Sequence, residues 1–462
     1  MYWRELTRPC PGDELKRRSI PAFVALCALL AAAALSGVAQ PASPPPSVTI
    51  FDGDSNHIWN RTYACLFVRQ DARGYAFGAD TPDPLLWWQT RHLLTGGSHR
   101  AALACLDKFL NSHAEHAIQD PLERAVFQHD LWAIFDWAAA EGAADFPEAR
   151  EKLERRLATV IRRLALSPDE IRGLPDTYAA AVGSHQFPAA YDPAQPHRAF
   201  LPPDLFQPDG PWVSLSGFLE EPTAIGHFTG RSRFLVFIRL PGGREATLAY
   251  VRMLRHSSVP PIVKRNDSVV PVLNLALPQF PVGTAVALVR QAIVIDTRGN
   301  LVPTALTEMA QLRAYHSITI GRGSEMQNYM NGPSSHDQDF FEFRLTRPQL
   351  FAGDAVGLAA VLPEDKEFAT FATHGFDPFE SRGPFSGPGS VLGRCLGCHS
   401  DAGIHSVQSR VRWMTSSPDA HPVAEDDGKE DPIAWESAAT IALKLQHTDF
   451  KLLKKMWAGP AN

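Results

Sequence analysis

The sequence predicts a mixed α+β, multi-domain chain: an N-terminal helical domain over 55–183, a middle antiparallel β region over 184–362 and a C-terminal, mostly helical module over 363–462. Three observations lead there. Helix-start signals and apolar spacing of three to four residues fill the first stretch. Branched and aromatic runs bounded by turn residues fill the second. A close-spaced cysteine pair followed by a capped apolar run marks the third. The 38 prolines and 32 glycines among 462 residues demand many irregular connections and argue against a single helical bundle. At 45% hydrophobic and 20% charged residues, the chain has material for two or three packed cores. A formal charge of -6, from 44 Lys+Arg against 50 Asp+Glu, offers no basic field to a phosphate backbone, so nucleic acid is not an expected partner.

Residues 1–39 read as an address. A charged lead ends in Lys16-Arg17-Arg18, an apolar run extends from Ile20 to Val38, and Gly37-Val38-Ala39 supplies small residues for cleavage. The alternative is a retained anchor, since about 20 apolar residues just span a bilayer. Either way the folded part is expected outside the cytoplasm, periplasmic or otherwise exported, and membrane contact is expected only if the segment is kept. Residues 40–54, with Pro41 and Pro44-Pro45-Pro46, read as a Pro-rich spacer.

In the helical stretch, Asp120-Pro121-Leu122-Glu123 combines an acidic cap, proline at the first helical position and Glu at the third. Leu153, Leu157, Val160, Ile161 and Leu164 form the apolar stripe of another helix, whose Arg155, Arg156, Arg162 and Arg163 are expected on its solvated face. Ser167-Pro168-Asp169-Glu170 repeats the capping arrangement. Cys65 and Cys105 stand in this half, and an oxidising compartment permits a disulfide between them; two buried thiols are the alternative. A proline-dense stretch from Pro188 to Pro211 then leads to expected strands at Trp212 to Leu219, Phe234 to Leu240, Ala246 to Leu254 and Ala285 to Ile295. Asp296-Thr297-Arg298-Gly299 is a turn signal, and Asp339 to Leu345 is a further strand with Phe341 and Phe343 on one face, giving an antiparallel sheet or small sandwich. Phenylalanines interleaved with Gly and Pro between 363 and 393 need something apolar to cover. Asp431-Pro432 starts a final helix running to about Trp457.

One motif carries chemistry. Cys395-Leu396-Gly397-Cys398-His399 is the C-x-x-C-H pattern of covalent haem attachment. Two thiols three positions apart add to the two vinyl groups of one porphyrin, and the adjacent imidazole is aimed at the iron. A C-x-x-C pair also serves as half of a zinc site, here with His405 and a distant ligand, or as a thioredoxin-like redox pair. No second C-x-x-C exists, and the Gly/Pro-rich approach lacks the strand-to-helix context of the redox pair. Elsewhere, His336-Asp337 with Asp339 and His316 is a weaker cluster, and Gly321-Arg322-Gly323-Ser324 lacks the frame of a phosphate loop.

On Cys395, Cys398 and His399, roughly the last 70 residues resemble a c-type cytochrome. The resemblance implies one covalent haem c, iron ligation by His399, one-electron transfer and a redox partner protein. It departs from the small cytochromes c in its approach: Gly383-Pro384-Phe385-Ser386-Gly387-Pro388-Gly389 leaves room for only about one turn before Cys395, where those proteins have an amphipathic helix. By the same resemblance the sixth ligand is often a Met on a loop ahead of the final helix, and Met414 holds such a place. Met456, His405, His421, His447, His336, His374, Met326 and Met330 are the other candidates, and Arg410 and Arg412 suit the haem propionates. Two alternatives to an electron carrier remain: a haem-dependent oxidoreductase with an open iron site, and an envelope binding or scaffold protein with a structural or sensing haem.

Overall fold

Helices form where the sequence places their caps. In the computed structural model, α1 is Ile58–Phe67, α2 Gly96–Asn111, α3 Pro121–Ala138, α4 Pro147–Arg163, α5 Pro168–Arg172 and α6 Thr177–Gly183. The Asp120 carboxylate accepts from Leu122 N–H at 2.8 Å to start α3. Ser167 and Glu170 close both bonds of a capping box at the start of α5. The structure describes residues 47–70, 74, 76–80, 91–140, 145–216, 222–255, 257, 262–263, 272–273, 276–319, 337–353, 356–368, 388–392, 396, 399, 402–407 and 431–459. The expected export segment, Cys395, Cys398, Met414, His421, His336, His374, Met326, Met330, Arg410, Arg412 and the Gly321–Ser324 stretch lie outside them.

The spacer is shorter than its composition implies. Val48, Ile50 and Phe51 are buried, and the Phe51 ring meets Trp59, Tyr63, Phe127 and Phe351. The Asn60 side chain accepts from both Ile50 and Phe51 N–H, so an apolar triad after the prolines is tied down by one buried amide. A disulfide joins Cys65 of α1 to Cys105 of α2, with 6.8 Å between the alpha carbons. Its partners are 40 residues apart, a loop for which chain entropy sets an upper figure of about 4 kcal/mol. Cys65→Ala/Cys105→Ala is expected to lower the unfolding free energy by about 2–4 kcal/mol in urea titration. An unchanged midpoint refutes this.

One six-stranded antiparallel sheet forms the middle of the chain. Its strands are β1 (Val213–Ser214), β2 (Ser232–Arg239), β3 (Ala285–Ile295), β4 (Leu301–Tyr315), β5 (Gln338–Leu345) and β6 (Leu358–Ala360). They lie side by side in chain order, each antiparallel to its neighbour. The sheet is single rather than sandwiched because helices and loops cover both faces. Leu235, Phe237, Val289, Leu312, Phe341 and Phe343 pack beneath α5, α6 and Phe200. Val236, Ile238, Val286 and Tyr315 face α7, Gly243–Arg255, together with Ile404.

That helix corrects the strand expected over Ala246 to Leu254. Thr247, Tyr250, Val251 and Leu254 are its buried residues, spaced three and four apart, so the period of burial overrides the branched and aromatic composition. Of the strand expected over Trp212 to Leu219, Val213–Ser214 form β1 and Gly217 to Leu219 lie outside the described residues; β4, which the composition hid, is the longest strand of the sheet. The expected final helix is two: α8 (Pro432–Gln446) and α9 (Thr448–Ala458), separated at His447, whose ψ of 143° is extended. The break turns Asp449 back onto Lys444, 3.0 Å away.

Packing runs across the boundaries expected at 183/184 and 362/363. Ile293 and Ile295 of β3, Leu301 of β4, and Phe450 and Leu453 of α9 share one core with Trp59, Phe109, Phe127, Leu157 and Ile161 of the helices. α3 sits at the centre and is buried on nearly every side. Its polar residues satisfy what surrounds it: Gln128 bonds the Ile295 N–H and carbonyl, and Asp130 pairs with Arg347. Of the arginines expected on the solvated face of α4, Arg155 pairs with Glu151, while Arg156 reaches Asp107 of α2 and Arg162 the Trp457 carbonyl of α9. Among the described residues no helix is long and apolar enough to cross a membrane.

Candidate metal centre

The turn that follows the cysteine motif is docked by polar contacts onto the ends of two interior strands, β4 and β5. Ala402 and Gly403 lead into the single helical turn Ile404–Val407. Gly403 has a φ of +55°, and a Cβ there would overlap the Gln279 amide. That amide is in contact because its oxygen accepts from Ile404 N–H at 2.9 Å, so this position requires glycine. Tyr315 OH and Ser406 Oγ are 2.6 Å apart, and Arg313 Nη1 donates to the Ser406 carbonyl at 2.9 Å. Gln338 Nε2 donates to the His399 carbonyl at 2.7 Å. The end of β4 and the start of β5 therefore hold the backbone at the motif's histidine and at Ser406, seven residues on.

His399 is oriented by the same hub. Its Nδ1 lies 2.6 Å from the Ser406 carbonyl oxygen. A carbonyl only accepts, so Nδ1 carries the proton and Nε2 of the neutral ring keeps its lone pair. Burial, then the Arg313 cation, push the His399 pKa down to about 3, against the opposing pull of the Ser406 hydrogen bond. At neutral pH the residue is thus a neutral imidazole with Nε2 as its available donor.

A second imidazole stands beside it. The ring centres of His227 and His399 are 6.2 Å apart, with planes tilted by 27°. His227 ends the short 3-10 turn Ile225–His227, and its ring centre lies 6.4 Å from that of Phe234 of β2, with planes tilted by 29°. Its ring is reachable by solvent, yet enough protein surrounds it that desolvation, then Arg290 and Arg313, lower its pKa. The pairing register puts Phe234, Arg290, Met309, Gln311, Arg313 and Phe340 on one face of β2–β5, the face that meets both histidines. Arg290, Arg313, Phe234 and Phe340 there suit a flat apolar group bearing carboxylates, while Arg344 on the same face is paired with Glu342.

Clamps from distant parts of the chain fix the loop that carries His227. Glu436 of α8, fully buried, accepts from the Thr223 N–H and hydroxyl at 2.8 and 2.7 Å. Gly230 has a φ of +70° and lies against the Lys444 side chain, which a Cβ would overlap. His129 Nε2 donates to the Arg231 carbonyl at 3.0 Å, and the Arg231 guanidinium pairs with Asp136 of α3 at 2.6 Å.

The other sequence candidates fall elsewhere. His405 is buried at 1% exposure, and neither ring nitrogen meets a hydrogen-bond partner. His447 packs on the Phe228 ring at 5.0 Å, and Met456 packs against the helical core. Asp337 is a turn residue: burial raises its pKa, but hydrogen bonds from Ser317 and Thr319 outweigh this and leave it lowered. His316 stands 3.9 Å from Asp339, which accepts from Tyr191 OH. Among the described residues no three His, Cys, Asp or Glu side chains converge as a metal-ion site. Sequence reasoning missed His227, Arg290 and Arg313. Only the alternation of β3 and β4, had both been paired in register, could have put the two arginines on one face. No local signal marks His227.

The observed groups fit a haem. One imidazole is held through Nδ1 and keeps Nε2 unprotonated, a second has its ring centre 6.2 Å away, arginines and aromatic rings lie on the adjoining sheet face, and the buried His405 ring adds two unpartnered polar atoms. No family model, curated protein or solved structure matches the chain.

Proposed function

We propose that the chain is an exported mono-haem protein of c-type cytochrome character that carries out one-electron transfer with a redox partner protein. The single observation that carries this reading is the His399 ring. Its Nδ1–H is given to the Ser406 carbonyl, which orients the ring and leaves Nε2 as the iron-binding atom. Cys395 and Cys398 would hold the porphyrin by thioether bonds, and bound haem supplies a reversible Fe(III)/Fe(II) couple. Arg313 fixes the carbonyl that fixes the ring. Phe234 and Phe340 limit water on the sheet side. The basic lead and apolar run within 1–39 support export, and the Cys65–Cys105 disulfide suits an oxidising compartment.

A pyridine haemochrome spectrum and the intact mass of the exported protein, beside Cys395→Ala/Cys398→Ala, test the reading. Wild type is expected to carry one covalent haem, and the variant none. A wild-type mass equal to that of the bare polypeptide, with the maturation machinery supplied, refutes it.

A further inference from the structure

We propose that His227 is the second axial ligand of the haem iron, opposite His399. The inference rests on the haem reading above and deepens it, because the identity of the sixth ligand separates a carrier from a catalyst. Two imidazoles that share one metal through bonds of about 2 Å each have ring centres roughly 6 Å apart. The observed separation is 6.2 Å, with nearly parallel planes. The pair comes from remote parts of the chain, His399 from the docked motif and His227 from the turn before β2.

The loop is built to hold that ring in place. Ala224, a non-glycine residue, sits at a φ of +58°, a left-handed conformation that persists only where its surroundings impose it. The Glu436 carboxylate on Thr223 imposes it from one side of the loop, and Lys444 against Gly230 from the other. An exposed histidine on a surface loop needs no such clamps. The rival His447 is turned to Phe228, and Met456 to the helical core. A second imidazole lowers the reduction potential relative to a thioether and closes the iron to small ligands, which favours electron transfer over catalysis at iron.

The test uses full-length protein exported with its haem attached. Wild type is expected to give a low-spin ferric EPR signal of bis-imidazole type and a ferrous form that resists CO. His227→Ala is expected to become high-spin and to bind CO at least tenfold more tightly, and added imidazole should restore the low-spin signal. That rescue separates a missing ligand from a damaged fold. Should His227→Ala fail to accumulate, His227→Met decides: it should stay low-spin with methionine-type spectra and a raised potential. A haem-bearing His227→Ala that stays low-spin and silent to CO overturns the inference while leaving the haem reading intact. So does a high-spin wild type, or a low-spin signal lost only in Met414→Ala or His405→Ala. Absence of haem from wild type instead refutes the underlying reading.

Discussion

Replacing Asp136 by Ala is expected to cost about 3–5 kcal/mol of unfolding free energy, because it strands two buried cations. The Asp136 carboxylate pairs with Arg231 at 2.6 Å and Lys444 at 2.7 Å, and the Lys444 side chain is fully buried. Removing the carboxylate leaves Lys444 with Asp449 alone, whose pKa is raised by burial and then by the Asp136 charge; loss of that charge lets Asp449 compensate only in part, because its burial remains. Trp132, over whose ring the Lys444 ammonium lies at 5.4 Å, recovers only part of the loss. Asp136→Asn keeps one acceptor without the charge and should fall between wild type and Ala. Urea titration followed by far-UV circular dichroism measures both variants, and a loss below about 1 kcal/mol for Asp136→Ala would show the cluster to be open to water. The same substitution frees Arg231, four residues after His227, so loosening of that loop should accompany the loss of stability.

On the proposed haem reading, Arg313→Leu is expected to lower the reduction potential. A cation near the iron disfavours the more positive ferric state, so removing it stabilises the oxidised form. A unit charge roughly 8–10 Å away at an effective dielectric of about 20 is worth about 2 kcal/mol, or roughly 80 mV for a one-electron couple. The guanidinium also lowers the His399 pKa and holds the Ser406 carbonyl at 2.9 Å, so its loss leaves that carbonyl to the imidazole alone. Arg313→Lys, which keeps the charge but not the planar fork, should return most of the potential while leaving the turn less well held. Spectroelectrochemical titration reads both. An unchanged or raised potential in Arg313→Leu would place the cation outside the field of the iron.

What the sequence made legible was local. Asp120-Pro121, Ser167 with Glu170, and Asp431-Pro432 start helices as expected, because a cap and its partner lie within one turn. The strands β2, β3 and β5 also stood out, as dense apolar runs. β4 did not. Its buried Thr304, Thr307 and Arg313 are held by bonds to Ala292, Thr177 and Ser406, contacts that no window on the strand contains. Composition misled over α7, where Thr, Tyr and Val favour a strand but burial falls on a helical period. The cysteine motif was plain from its spacing, whereas His227 becomes meaningful only once the sheet and α8 set it against His399.

Thr223 and the Glu436 that clamps it are 213 positions apart. During synthesis the meander β2–β5 has hairpin neighbours to pair with long before α8 exists. The loop bearing His227 must therefore wait for its Thr223 clamp until α8 has emerged. Assembly of this region is consequently a late, chain-closing event: the carboxyl-terminal helices act as the latch that turns a finished scaffold into a competent site.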